Sequence, residues 1–313
     1  MIFVEFMSPV GHVALNSYLI THLMKPGDRL IMGESLIHEY LNFNPSSFGD
    51  LGNGIFGRFL NTFGGICKIN KLQKREEDLV ILSYDIAFVF LIKIFLKNYS
   101  RKKIYAFIHN AFPSTNIKNF LLSFVKKKVV FIAFTDEIAN SMRQLGYKSV
   151  VINHPVLRSK VNESNAILEG IVSISNSYDG VVFCASGSSP KKEIEKFAKE
   201  NVKYLIVAKN KFETSLANIV FVNDYSLYGN LIELSDYVYI YFPYSERVSG
   251  VFYDALAFNK KIILNEGAFG RYAVNLFPNN AAFSIDDFGV KKPNFDFEMH
   301  NNESISKMKY FIA

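Results

Sequence analysis

The chain has 313 residues, with 35 Lys plus Arg against 29 Asp plus Glu, a formal net charge of +6 and a pI near 9.0. No arginine-rich arm and no RNA- or DNA-binding signature accompanies that modest basic excess, so nucleic acid is not an expected partner. Two distant cysteines, Cys67 and Cys184, exclude a disulfide framework and a zinc site, and an apolar content of 49% suffices for a sizeable core.

In chain order, residues 2–7 (IFVEFM) read as a strand. That run is too short for a secretory signal and has no basic lead, which points to a reducing cytoplasm. The loop SPVGH and a helix-spaced run at 14–24 follow, then a strand at 28–33. Residues 41–66, rich in Gly, Asn and Phe, read as an irregular excursion holding one short helix. Strands are expected at 79–84, 103–109, 129–134 and 149–154, with helices at 86–97, 115–126 and 136–145. The longest apolar stretch, 86–96, is interrupted by Lys93 and is shorter than the roughly twenty residues that cross a bilayer.

The polar, aperiodic run 156–165 reads as a linker. A second series follows, with strands at 180–186, 203–208, 218–223, 237–243 and 260–265, helices at 190–200 and 226–234, and a last helix at 303–312. Strand alternating with helix implies two parallel sheets, each covered on both faces. The expected organisation is an acceptor-side domain at 1–155, a linker at 156–170, a donor-side domain at 171–300 and a C-terminal helix at 301–313. Ligands of such sheets bind outside the carboxyl ends of the strands, so a cleft between two of them is the natural site.

The segment ERVSGVFYDALAFNKKIIL, 246–264, carries the most chemistry. After the strand ending near Pro243, Glu246 lies in the turn and Ser249 is a suitable N-cap. Gly250 lets a ligand approach the backbone, and free amides in the first turn attract an anion, above all a phosphate. Asp254, one turn into the helix, reaches back toward that site while Glu246 reaches from the other side. A diphosphate with hydroxyls at both ends, the shape of a nucleotide-sugar, would meet both carboxylates. The plain alternative is an Asp favoured by the helix dipole and a loop Glu without a role.

Glu246, Gly250, Asp254, Ala255-Leu256 and Lys261-Ile262-Ile263 together resemble the Glu-x7-Glu region of the retaining GT-B glycosyltransferases that build bacterial surface polysaccharides. Residues 231–244 and 150–156 resemble the stretches leading into that site and closing the first domain. The second acidic residue here is Asp rather than Glu, the loop after the first strand has one glycine where many relatives have more, and no Arg-x4-Lys pair opens the second domain.

The resemblance implies two Rossmann-like domains facing a cleft, and a hexosyl transfer from a nucleotide-sugar to a growing glycan or lipid-linked glycan. It implies no metal and no cofactor beyond the donor. Glu246 would hold hydroxyls of the donor sugar, Asp254 the ribose, and the amides near Ser249, Gly250 and Val251 the diphosphate. Gly187, Lys191 and Lys192 join the donor side, although KKEIEK also pairs well as a solvated helix face. Gly11 and His12 on the first loop, and His109 and Asn110 at the end of a strand, fall on the acceptor side. His109 is a catalytic candidate, and His12 is a candidate base if the reaction inverts. The residues alone leave the stereochemistry open.

A nucleotide-sugar epimerase and a non-catalytic partner subunit are the competing readings. The basic apolar segments 88–103 and 117–128 fit either peripheral contact with an anionic membrane or core-packed helices with basic ends.

Overall fold

A computed structural model describes residues 1–7, 12–49, 52, 54–72, 77–108, 115–163, 165–185, 191–209, 211–241 and 248–312. The chain divides into two compact units, Met1–His154 with Asn302–Ala313, and Pro155–Asn301.

The first unit runs β1 (Ile2–Glu5), α1 (Val13–Leu23), β2 (Arg29–Gly33), a 3-10 helix (Glu34–Phe43), β3 (Ser46–Phe48), α2 (Ile55–Leu72), β4 (Leu79–Ser83), α3 (Leu91–Phe95), β5 (Ile104–Ile108), α4 (Asn116–Ser123), β6 (Val129–Ala133), α5 (Asp136–Gln144) and β7 (Lys148–Val151). Its sheet is parallel, in the order β3-β2-β1-β4-β5-β6-β7. Every residue of β1, β4 and β5 is buried, as expected of strands covered on both faces. Thr115 and Thr135 cap α4 and α5, each hydroxyl accepting a backbone N–H at 3.3 Å.

Two expectations are corrected in this unit. Residues 41–66 are not an irregular excursion: they supply strand β3 and most of the 18-residue helix α2. One of the glycines that suggested a loop, Gly65, serves close packing instead, since a Cβ there would lie 2.7 Å from the Phe6 ring. The helix expected at 86–97 shrinks to five residues. Asp85 organises the preceding turn, its carboxylate accepting from Ala87 N at 2.8 Å and from Arg58 Nη1 at 2.6 Å.

The second unit runs α6 (Ala166–Ser175), β8 (Gly180–Cys184), α7 (Lys191–Glu200), β9 (Tyr204–Ala208), β10 (Ile219–Phe221), α8 (Tyr228–Leu234), β11 (Tyr237–Ile240), α9 (Gly250–Ala257), β12 (Lys261–Leu264), α10 (Ala268–Leu276), β13 (Ala281–Ala282) and α11 (Phe297–Ile312), whose last turns group with the first unit. The parallel order is β10-β9-β8-β11-β12-β13.

Helices α6 and α10 and strand β13 have no counterpart in the sequence reading. The first, AILEGIVSIS, is apolar nearly all round, so no clean helical period shows, and Asn165 caps it by accepting from Ile167 N and Leu168 N. Helix α11 starts six residues earlier than expected. Asp296 accepts from Met299 N at 3.0 Å at the start of this helix.

Among the described residues of 156–165 there is no regular element, but the run is bound to the second unit. The Asn301 side chain bonds both backbone groups of Val156 at 2.7 Å, and Asn230 bonds both those of Asn162.

Candidate functional site

In the second sheet, β9 and β11 flank β8, so the strand order reverses between β8 and β11. Such a switch point is where ligands of open α/β sheets bind. The chain leaving β8 leads to Lys191 and Lys192, and the chain leaving β11 leads to Ser249, so the donor-side candidates follow the two strands that define the switch.

Helix α9 begins as the sequence predicts. Ser249 is extended (φ −94°, ψ 113°), buried, and accepts from Phe252 N at 3.3 Å. Phe252 fixes the helix from below, its ring 5.3 Å from Phe269 and 5.6 Å from Phe277. Asn259 ends it in the left-handed region (φ 52°), which asparagine tolerates, and turns the chain into β12. Gly250 is exposed, and a Cβ there would meet nothing within 4 Å. Neither packing nor backbone conformation requires that glycine. Its effect is to leave the first turn of α9, with the amides of Gly250 and the half-buried Val251, without a covering side chain at that position.

Asp254 lies one turn inside α9, half-buried. Its Oδ1 accepts from Ser159 Oγ at 3.1 Å and its Oδ2 from the Tyr228 hydroxyl at 3.0 Å. Burial raises its pKa above the ordinary carboxylate value, and the two hydroxyls pull it partly back. Asp254 therefore joins the strap 156–165 and α8 to α9. Each oxygen keeps a second lone pair, so the carboxylate can still accept from a further hydroxyl.

Lys191 and Lys192 stand exposed at the start of α7. The Lys191 ammonium lies 3.8 Å from Glu195 and 5.8 Å from the Phe212 ring centre, as the solvated-face alternative anticipated. Lys192 makes no such contact among the described residues.

In the first unit, β2 and β4 flank β1, and the carboxyl ends of β1 and β4 again mark the switch. His12 stands at the N-cap position of α1 without a side-chain cap hydrogen bond, and burial lowers its pKa. Sequence reasoning passed over Glu5, the last residue of β1, although a carboxylate inside IFVEFM was a visible signal. It is fully buried at a slip in the β1–β4 register. Its Oε2 accepts from Asn16 Nδ2 at 3.2 Å and from the Tyr40 hydroxyl at 3.4 Å. Burial pushes its pKa up to about 7, against the opposing pull of Asn16, Ser83 and Tyr40.

Gly11, His109, Asn110, Gly187 and Glu246 lie outside the described residues. Among the described residues, no group of three or more His, Cys, Asp or Glu could hold a metal ion, and no helix is long and apolar enough to cross a membrane.

The two parallel-sheet α/β units define the GT-B fold, the architecture of a large class of glycosyltransferases. HepE of Anabaena, in complex with UDP and glucose, matches with a TM-score of 0.63 at 12% identity, covering 99% of this chain and 99% of that one. A glycosyltransferase from Rickettsia africae matches with a TM-score of 0.61 at 16% identity over 99% of this chain and 87% of the other. The UDP-GlcNAc 2-epimerase of Neisseria meningitidis, bound to UDP-GlcNAc, matches at 0.54 and 11% identity over 99% and 98%. At these identities the likeness is one of fold. No protein-family model and no curated protein matches the sequence.

Proposed function

We propose that the protein is a metal-independent glycosyltransferase that moves a hexosyl group, with retention, from a nucleotide-sugar to a growing bacterial surface glycan at the cytoplasmic face of the membrane. The observation that carries this reading is the start of α9: a Ser249-capped helix with an exposed, uncrowded Gly250, following the strand at the β8/β11 switch point. Amides and dipole there favour the donor diphosphate. HepE, which shares the fold, has been seen with UDP and with UDP-glucose.

As the sugar–phosphate bond breaks, negative charge grows on the leaving diphosphate, and the α9 amides with an exposed lysine of α7 would oppose it. Lys192 is the better candidate, because Lys191 is turned toward Glu195 and Phe212. Asp254 would accept from the ribose through its remaining lone pairs, and Glu246 would hold the sugar hydroxyls. His109, Asn110, Gly11 and His12 would serve the acceptor, and Gly187 the donor phosphates. An epimerase acting on a nucleotide-sugar is the second reading, favoured by the Neisseria neighbour at its lower TM-score.

Thermal-shift measurements across UDP-, GDP-, dTDP- and CMP-sugars test the donor site. One nucleotide class should raise the melting temperature. Gly250→Leu should remove that rise while leaving the ligand-free melting temperature in place, since its Cβ has room. Persistence of the rise in this variant would remove α9 from the donor site. Release of free sugar nucleotide epimers, with no transfer to any acceptor, would select the epimerase.

A further inference from the structure

The net charge of the chain is concentrated in one segment. Residues 86–135 contain nine Lys or Arg and no Asp or Glu, more than the whole excess of +6. This segment holds α3 and α4, the two helices whose sequence fitted either a membrane surface or a buried core.

Their exposure separates those alternatives. On α4, Ile117 is 72% exposed, Phe120 63% and Phe124 39%; on α3, Ile94 is 56% and Phe95 43% exposed. A core-packed face would bury these side chains, as Leu122 is buried on the opposite face of α4 and Leu91 and Ile92 are buried in the first turn of α3. The two helices meet through Phe90 and Phe124, ring centres 6.1 Å apart, with the Lys93 ammonium 5.5 Å above the Phe124 ring. Lys128 Nζ donates to Ser100 O at 2.7 Å, which ties the far end of α4 to the turn after α3. The exposed aromatics thus belong to one surface of the first unit.

Lys93 and Lys128 lie on this surface, and Lys97, Arg101, Lys103 and Lys127 of the same segment are exposed, whereas Lys102 is buried and donates to Glu77 O.

We propose that the α3–α4 face docks the protein on an anionic lipid bilayer, Phe120 and Ile117 entering the interface while the lysines meet lipid phosphates. Charge alone would equally suit a nucleic acid; exposed phenylalanine and isoleucine among the lysines suit lipid, which offers both a phosphate layer and an apolar layer. Each lysine within reach of the charged surface contributes roughly fivefold in affinity. The inference places the surface on which the proposed lipid-linked acceptor would be met, but it is tested without any transfer reaction, so the two can fail separately.

The test is flotation of the full chain with phosphatidylcholine vesicles, with and without phosphatidylglycerol. Wild type should float only with the anionic vesicles and should be released by salt. Phe120→Glu, at a position 63% exposed whose ring meets only the edge of Phe124 among the ring contacts of the described residues, should lose at least tenfold in binding with a melting temperature within a few degrees of wild type. Lys93→Gln combined with Lys127→Gln should lose roughly 25-fold. Equal binding to neutral vesicles, no vesicle binding, or a Phe120→Glu variant that binds as wild type would overturn the proposal. So would a wild-type dimer that Phe120→Glu dissolves, since the face would then be a contact between copies, or retention on heparin without vesicle binding.

Discussion

Each unit sets one carboxylate by the switch point of its sheet, and the two are housed in opposite ways. Glu5 is fully buried at the end of β1, with two donors on Oε2 and, among the described residues, no hydrogen-bond partner for Oε1. Asp254 is half-buried on α9, with one hydroxyl donor on each oxygen. The difference shows how surroundings decide what a carboxyl does. At Glu5 burial outweighs the donors and favours the proton, whereas the two hydroxyls on half-buried Asp254 oppose that pull.

The largest expected effect follows from Glu5. Its ordinary value is 4.5 and its value in the fold is about 7. The folded state holds this proton more tightly, so the contribution to stability is full below 4.5 and is lost as pH rises through 7. The loss amounts to about 3 kcal/mol. Denaturant titrations from about pH 5 to about pH 8 should show that fall in wild type and not in Glu5→Gln, which keeps the shape and carries a permanent donor. Parallel pH profiles for the two proteins would mean that Glu5 is ionised in the fold.

Asp254 sharpens the contrast at a smaller scale. Asp254→Ala leaves the Tyr228 and Ser159 hydroxyls without their acceptor and should cost about 2 kcal/mol in urea unfolding, with Asp254→Asn costing less. If Asn binds nucleotide-sugar as wild type does, while Ala alone is unstable, Asp254 is structural and the ribose finds another partner.

Ser249→Ala removes a helix cap and should cost about 1 kcal/mol. It should also weaken any nucleotide-induced thermal shift, because the first turn of α9 loses its anchor. Smallest of all, Lys192→Ala should leave stability within about 0.5 kcal/mol of wild type. Its effect, if the donor reading holds, is confined to turnover and visible as a fall in kcat.

Much of the fold was legible because parallel strands buried on both faces leave unbroken Val/Ile/Phe runs, such as IYAFI at β5, which no helix period imitates. The Ser249 cap was legible for a similar reason, since cap and first turn are neighbours in sequence. Helix α2 was not legible: its glycines carry the local signature of a loop, and only the Phe6 ring beneath Gly65 gives that one a packing role. The partners of Asp254 come from 95 and 26 residues away, so no local pattern names them.

The sequence by itself determined two α/β units, a Ser249-capped helix start after the strand ending near residue 240, and a basic apolar segment, because each is written in the spacing and type of adjacent residues. Only the tertiary structure decided that Asp254 is shared with the strap and α8, that Glu5 sits sealed beneath the first switch point, and that Phe120 faces outward. Burial and hydrogen bonding are set by residues distant in the chain, and those distances close only when the sheets form.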